Sequence, residues 1–294
     1  MPRKTLIKKC AVCGRTITSQ FAKYCCDCAL LVIHVNRAKL PRKAARRIYR
    51  YVRKHGYVCY YTGMRLDVTD SHSPWYFVLD HWKPGDNRKV VLTSALINGM
   101  KSDLTEREFW YMIRQLADFK RLGTPVRKIR LSLWNREYIK GCEDIEVQVS
   151  CERKCCICGQ PVYFYNAQFC RKCHLISRRI DESQLPLEAA KSLWDYVRKH
   201  GHVCYYTGMP LDFDDYRSAW HFTFEHVAPG DSTKVVLASA LLNEMKSDLS
   251  EDEFWYYIKQ LDNYKRKHTG IRKRKLVYWY RLHPVKDALG AQML

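Results

Sequence analysis

The chain contains the same long pattern twice. Residues 75–103 read WYFVLDHWKPGDNRKVVLTSALINGMKSD, and residues 220–248 read WHFTFEHVAPGDSTKVVLASALLNEMKSD. A constant offset of 145 carries His81 to His226, Asn98 to Asn243 and Lys101 to Lys246, and it holds without a gap from Cys10 and Cys155 through Trp134 and Trp279. That period is far above the roughly 20–50 residues of solenoid repeats. The 294 residues therefore point to two whole domains in tandem, each within the usual domain size of about 100–150 residues.

Local pattern gives each copy the same layout. Residues 75–82 are aromatic and β-branched, as strands are. Pro84-Gly85-Asp86 is turn chemistry, and Val90-Val91-Leu92 makes a second short strand. Ala95, Leu96 and Met100 then fall at helical spacing. Upstream, a helix is expected from Pro41 to Gly56 and from Pro186 to Gly201. Downstream, Thr105 with Glu108 and Ser250 with Glu253 have the spacing of capping boxes that open another helix. Residues 126–138 and 271–283 alternate basic and apolar side chains and read as strands with one basic side. The fold class is thus α+β, with the chain divided into 1–40 (basic arm and first knuckle), 41–138 (first module), 139–154 (linker), 155–185 (second knuckle) and 186–294 (second module).

Eight of the 14 cysteines form two sets with one spacing: Cys10, Cys13, Cys25 and Cys28, then Cys155, Cys158, Cys170 and Cys173. A Cys-x2-Cys turn aims two thiolates at one point, and two such turns suit a tetrahedral Zn²⁺. Disulfides or buried thiols are the alternative; the first ten residues lack the apolar run of a secretory signal, which favours metal. Four thiolates leave no open position, so the expected role of both ions is structural. Cys59 and Cys204 lie in the repeated phrase VCYYTGM and are expected in the core.

The net charge of +21 points to a polyanionic partner. It is uneven: residues 1–145 carry 29 basic and 12 acidic side chains, residues 146–294 carry 22 and 18. Much of the difference sits on one helix. Arg42, Lys43, Arg46, Arg47 and Arg50 stand where the second copy has Leu187, Glu188, Lys191, Ser192 and Asp195. These five are the candidate phosphate contacts. No apolar run reaches the roughly 20 residues that span a bilayer, so the expected setting is intracellular, with DNA and no membrane.

The pairing of Asp80-His81 with Asn98-x2-Lys101 resembles the His-Asn-His nuclease family, whose fold is the ββα-metal motif. The phrases LDHWKP, ALINGMKSDL, FEHVAP and ALLNEMKSDL carry the resemblance, and CYYTGMRLD and CYYTGMPLD look like the family's lead-in. It covers roughly residues 56–120 and 201–265. One departure stands out: Lys89 and Lys234 occupy the place of an asparagine common in the family, so another group, such as a backbone carbonyl, must orient each histidine.

Phosphodiester hydrolysis needs these residue types. A neutral histidine is the natural base near pH 7, giving His81 and His226 the task of activating water. A hard divalent cation such as Mg²⁺ takes oxygen ligands, for which Asp80 with Asn98 and Glu225 with Asn243 are the candidates. Lys101 and Lys246 are expected either to add charge near the phosphate or to lie solvated at a helix end. The resulting expectation is a DNA endonuclease with one site per repeat, a monomer acting as a pseudo-dimer on both strands of the duplex, of a homing or rare-cutting type. A junction-resolving nuclease and a zinc-dependent DNA-binding protein without cleavage are the alternatives.

Overall fold

The computed structural model describes residues 8–17, 22–129, 131, 154–162 and 168–276. Mixed helices and small antiparallel strand pairs make up each repeat, as the α+β reading requires. In the first repeat β1 (Lys8–Lys9) pairs with β2 (Thr16–Ile17) across the first knuckle. Helices α1 (Cys26–Arg37) and α2 (Arg42–His55) follow. Then come the hairpin β3 (Phe77–His81) and β4 (Val90–Ser94), and helices α3 (Ala95–Lys101) and α4 (Glu106–Leu122). The second repeat gives α5 (Arg171–Glu182), α6 (Leu187–His200), β5 (Phe222–His226), β6 (Val235–Ser239), α7 (Ala240–Lys246) and α8 (Glu251–Lys267).

The hairpin register sets up each site. His81 faces Val90, Asp80 faces Val91 and Phe77 faces Ser94; His226, Glu225 and Phe222 face Val235, Val236 and Ser239 in the same way. Strand passes directly into helix at Ser94 and Ser239, whose hydroxyls accept from the amides of Ile97 (3.3 Å) and Leu242 (3.4 Å). A serine N-cap satisfies an amide that the first helical turn leaves without a partner. The capping boxes form as expected: the Thr105 amide donates to Glu108 Oε2 at 2.8 Å and the Glu108 amide donates back to Thr105 Oγ1 at 3.3 Å. Ser250 and Glu253 repeat this exchange.

The core of the first repeat collects Leu31, Val35, Ile48, Val52, Phe77, Leu92, Leu96, Met100 and Phe109, all buried. Cys59 and Cys204 are fully buried within it and its counterpart, as expected of the VCYYTGM phrase. The compact units do not follow the repeat boundary: one takes the described residues up to 110 together with 259–276, the other those between 111 and 258. In the second unit the Val126 amide donates to the Thr207 carbonyl at 3.0 Å, and the Phe119 ring lies 3.1 Å from where a Cβ on Gly208 would stand. Gly208 also has φ +65°, so a side chain in this turn would be strained in its backbone and tight against the Phe119 ring.

Two expectations change. The parts of 126–138 and 271–283 that lie among the described residues, 126–129, 131 and 271–276, form no strand. Val126 spends its amide on a turn rather than on a ladder, so no pairing propagates from it. The rest of those segments, and nearly all of the 139–154 linker, fall outside the described residues. Helices α1 and α5 were not expected; Cys28, Leu31 and Val35 form the buried stripe that supports α1. Among the described residues no helix is long and apolar enough to cross a membrane.

Candidate metal and nucleic-acid sites

Each cysteine set closes on itself. The four thiol sulfurs of Cys10, Cys13, Cys25 and Cys28 lie within 4.8 Å of one another, as do those of Cys155, Cys158, Cys170 and Cys173. Cys13 and Cys25 Sγ are 3.6 Å apart, and Cys158 and Cys170 Sγ 3.5 Å. A Zn–S bond of about 2.3 Å gives a tetrahedron with edges of about 3.8 Å, so both clusters could each hold a zinc ion. Their surroundings already favour charge on one sulfur. Burial alone would raise the Cys10 thiol, but amides of Cys13, Cys25 and Val12 point at it and bring it down to about 6. Cys155 falls to about 6 for the same reasons. Burial pushes Cys28 and Cys173 well up, so these fourth ligands need the metal itself to shed their protons. Elemental analysis is expected to find two zinc ions per chain, and one after either Cys28→Ser or Cys173→Ser; a metal-free chain would contradict this.

The hairpin and its helix bring Asp80 and Lys101 together in the interior. Lys101 is completely buried, and its ammonium donates to Asp80 Oδ1 at 3.1 Å and to the His81 carbonyl at 3.0 Å. Tyr61 donates to the other carboxylate oxygen, Asp80 Oδ2, at 2.5 Å. Lys246 is equally buried and bonds Glu225 Oε1 at 2.8 Å and the His226 carbonyl at 2.7 Å. Burial raises both carboxyls above their ordinary range, against the pull of the lysines. The expectation of a solvated or phosphate-facing lysine is therefore corrected for Lys101 and Lys246. The Asn-x2-Lys spacing puts amide and ammonium on one face of a short helix, and that face docks on the strand. Asn243 Nδ2 donates to Thr223 Oγ1 at 3.3 Å and to the Phe224 carbonyl at 3.2 Å, two residues before the carbonyl that Lys246 takes.

The carboxylates differ by one methylene, and the difference shows at the conserved-in-repeat tyrosine. Asp80 accepts from Tyr61, whereas Tyr206 keeps a buried hydroxyl with no hydrogen-bond partner among the described residues. Both Asp80 oxygens are thus engaged, while Glu225 commits Oε1 to Lys246. Asn243 uses its amide hydrogens and keeps its oxygen as an acceptor. A cleft of about 500 Å³ opens beside Asn243, but Arg178 and Arg179 in it are balanced by Glu182, Asp214 and Glu244.

The histidines sit at the strand ends, only partly covered. His226 Nδ1 lies 3.1 Å from the Asp231 carbonyl. A carbonyl only accepts, so Nδ1 carries the hydrogen and Nε2 keeps its lone pair. His81 is held the other way round: its Nε2 meets Asn87 Oδ1 at 2.7 Å, which leaves Nδ1 as the acceptor. Asn87 has Ser232 opposite it in the second repeat, so comparing the copies gave no signal for it. The Lys89 ammonium instead lies over the Trp82 ring.

Arg42, Lys43, Arg46, Arg47 and Arg50 are all exposed along α2, and Arg47 reaches the Arg88 carbonyl at 3.4 Å. Arg53, one turn on, faces the knuckle instead and donates to the carbonyls of Val12 (3.0 Å) and Ala11 (2.8 Å). Two residues absent from the sequence reading also touch the clusters: the Tyr57 hydroxyl is 3.7 Å from Cys28 Sγ, and its counterpart His202 has Nε2 3.3 Å from Cys173 Sγ. No family model, no curated protein and no solved structure matches this chain.

Proposed function

We propose that the chain is a metal-dependent endonuclease that hydrolyses phosphodiester bonds of duplex DNA, with one site in each repeat. The observation that supports this reading is the state of the two strand-end histidines. Each is anchored through one ring nitrogen by its own hairpin turn, and each keeps a lone pair on the other. A neutral imidazole so held is a general base with one defined acceptor atom. Nδ1 of His81, or Nε2 of His226, takes the proton from the attacking water. The water oxygen bonds to phosphorus, the phosphorus–oxygen ester bond opposite it breaks, and the departing oxygen takes a proton from solvent. Mg²⁺, when bound, supplies positive charge to the phosphate; Asp80 with Asn98 and Glu225 with Asn243 are the residues that would hold it. Two such sites in one chain fit a pseudo-dimer that cuts both strands, and unequal repeats fit an asymmetric target.

The strand-resolved products of a labelled duplex test this reading. His81→Ala is expected to remove the cut in one strand and His226→Ala the cut in the other, each by 10²-fold or more, about the worth of a general base. Loss of both cuts from either single change would contradict separate sites. The exposed face of α2 has its own check: changing Arg46, Arg47 and Arg50 together to Ala should reduce the slope of log affinity against log salt by about 2.7, at about 0.9 per phosphate contact. An unchanged slope removes α2 from the interface.

A second reading has one observation in its favour. With both Asp80 oxygens engaged by Lys101 and Tyr61, the first repeat's carboxylate already has a structural task. Zinc-dependent DNA binding without cleavage would need nothing more from it.

A further inference from the structure

Aromatic side chains link the fourth cysteine of each cluster to the strand that carries the histidine. In the first repeat Tyr57 makes the connection. Its hydroxyl donates to the Asp27 carbonyl at 2.8 Å and lies 3.7 Å from Cys28 Sγ, while its ring packs edge-on against Phe77, the first residue of β3, at 5.4 Å. In the second repeat His202 takes the same place. Its Nε2 is 3.3 Å from Cys173 Sγ, and its ring meets Phe213 edge-on at 5.4 Å. Phe213 in turn stacks at 4.4 Å on Phe222, the first residue of β5. A thiolate only accepts hydrogen bonds, so the atom facing it must be a donor.

We propose that Tyr57 and His202 are positioning residues for the two metal clusters, each donating a hydrogen bond to the fourth cysteine sulfur and so setting how firmly its cluster keeps zinc. Outer partners of metal ligands matter because they orient the ligand and disperse its charge; losing one commonly weakens metal affinity 10- to 100-fold. The two clusters are not equal in this respect. The Tyr57 proton is shared, with its shorter contact to the Asp27 carbonyl, whereas His202 gives Cys173 an undivided N–H. The second cluster therefore holds its metal through the stronger outer contact, and it depends on that contact more.

The test uses the full zinc-loaded chain. Tyr57→Phe and His202→Phe delete the donor and keep an aromatic ring for the packing. Zinc release to excess chelator is followed by a metal-sensitive dye, and the cobalt-substituted proteins report the thiolates directly through their sulfur-to-cobalt absorption bands. His202→Phe should speed release of one of the two ions by about 10-fold and shift half of the absorption band. Tyr57→Phe should act on the other ion, by a smaller factor. His202→Tyr, which installs the first repeat's donor in the second, should restore part of the loss. Release rates and bands unchanged in both phenylalanine variants would overturn the proposal, as would either variant acting equally on both ions, or a chain that takes up no cobalt.

Discussion

Chelating the metal from this chain is expected to unfold both knuckle regions and lower the melting temperature of the whole. The apolar support around each cluster is thin. Among the described residues between Cys10 and Cys28, Val12 and Ile17 are the buried aliphatic side chains, and strands β1 and β2 are two residues each. Such a segment cannot order itself by burial alone, and the binding free energy of a structural zinc, on the order of 10 kcal/mol, is then its folding free energy. That figure is comparable to the entire stability of an ordinary domain, roughly 5–15 kcal/mol. The effect should spread beyond the knuckle, because Arg53 ties α2 to the carbonyls of Ala11 and Val12 and Tyr57 ties Cys28 to β3. Thermal melts with and without chelator check this, at a pH where wild type is stable. A melting temperature that does not move would show that the cysteines hold no structural metal.

Lys101→Met should be the most damaging single substitution away from the clusters, costing about 3–5 kcal/mol. The ammonium is wholly buried, and methionine fills a similar volume without it. What remains is the Asp80 carboxylate, 5 % exposed, with Tyr61 as its one strong partner. The penalty has a definite pH dependence. Burial already holds Asp80 above the ordinary carboxyl range, and removing Lys101 takes away the charge that opposes this. A carboxyl whose folded-state pKa is raised contributes stability while it stays protonated and loses it as pH rises through that value. The variant should therefore be closest to wild type in mild acid and fall furthest behind near pH 8. Asp80→Asn combined with Lys101→Met should recover most of the loss, since removing both charges leaves no unpaired ion. Denaturant titrations of the single and double variants at both pH values provide the numbers; a Lys101→Met protein as stable as wild type at pH 8 would mean that the pair is not buried in solution. Lys246→Met makes the corresponding test on Glu225.

The sequence revealed most of what depends on local pattern. The two capping boxes and the Pro84-Gly85 turn mark boundaries through hydrogen bonds made within a few residues, and these boundaries stand where the residue types placed them. The cysteine spacing likewise determined which sulfurs meet. Tertiary placement was less accessible. Lys101 looks like any lysine at a helix end; only the docking of α3 on β3 takes it out of water. Its i, i+3 relation to Asn98 did contain the information that both face one way. Asn87 was hidden because its role has no counterpart at Ser232, and Tyr57 and His202 because two different donors do one job. Helix α1 was obscured by its own cysteines, although Leu31 and Val35 continue the spacing that Cys28 begins.

The central claim is that the free ring nitrogens of His81 and His226 are catalytic bases. Incubating supercoiled plasmid with the zinc-loaded chain and Mg²⁺ tests it most directly, beside the same chain in metal-free buffer and the His81→Ala/His226→Ala double variant with its zinc content confirmed. The proposed endonuclease converts the plasmid to nicked and linear forms only with Mg²⁺, and the double variant leaves it supercoiled while still binding it. Intact plasmid with wild-type protein that binds it tightly, or equal cutting by the double variant, would contradict the account.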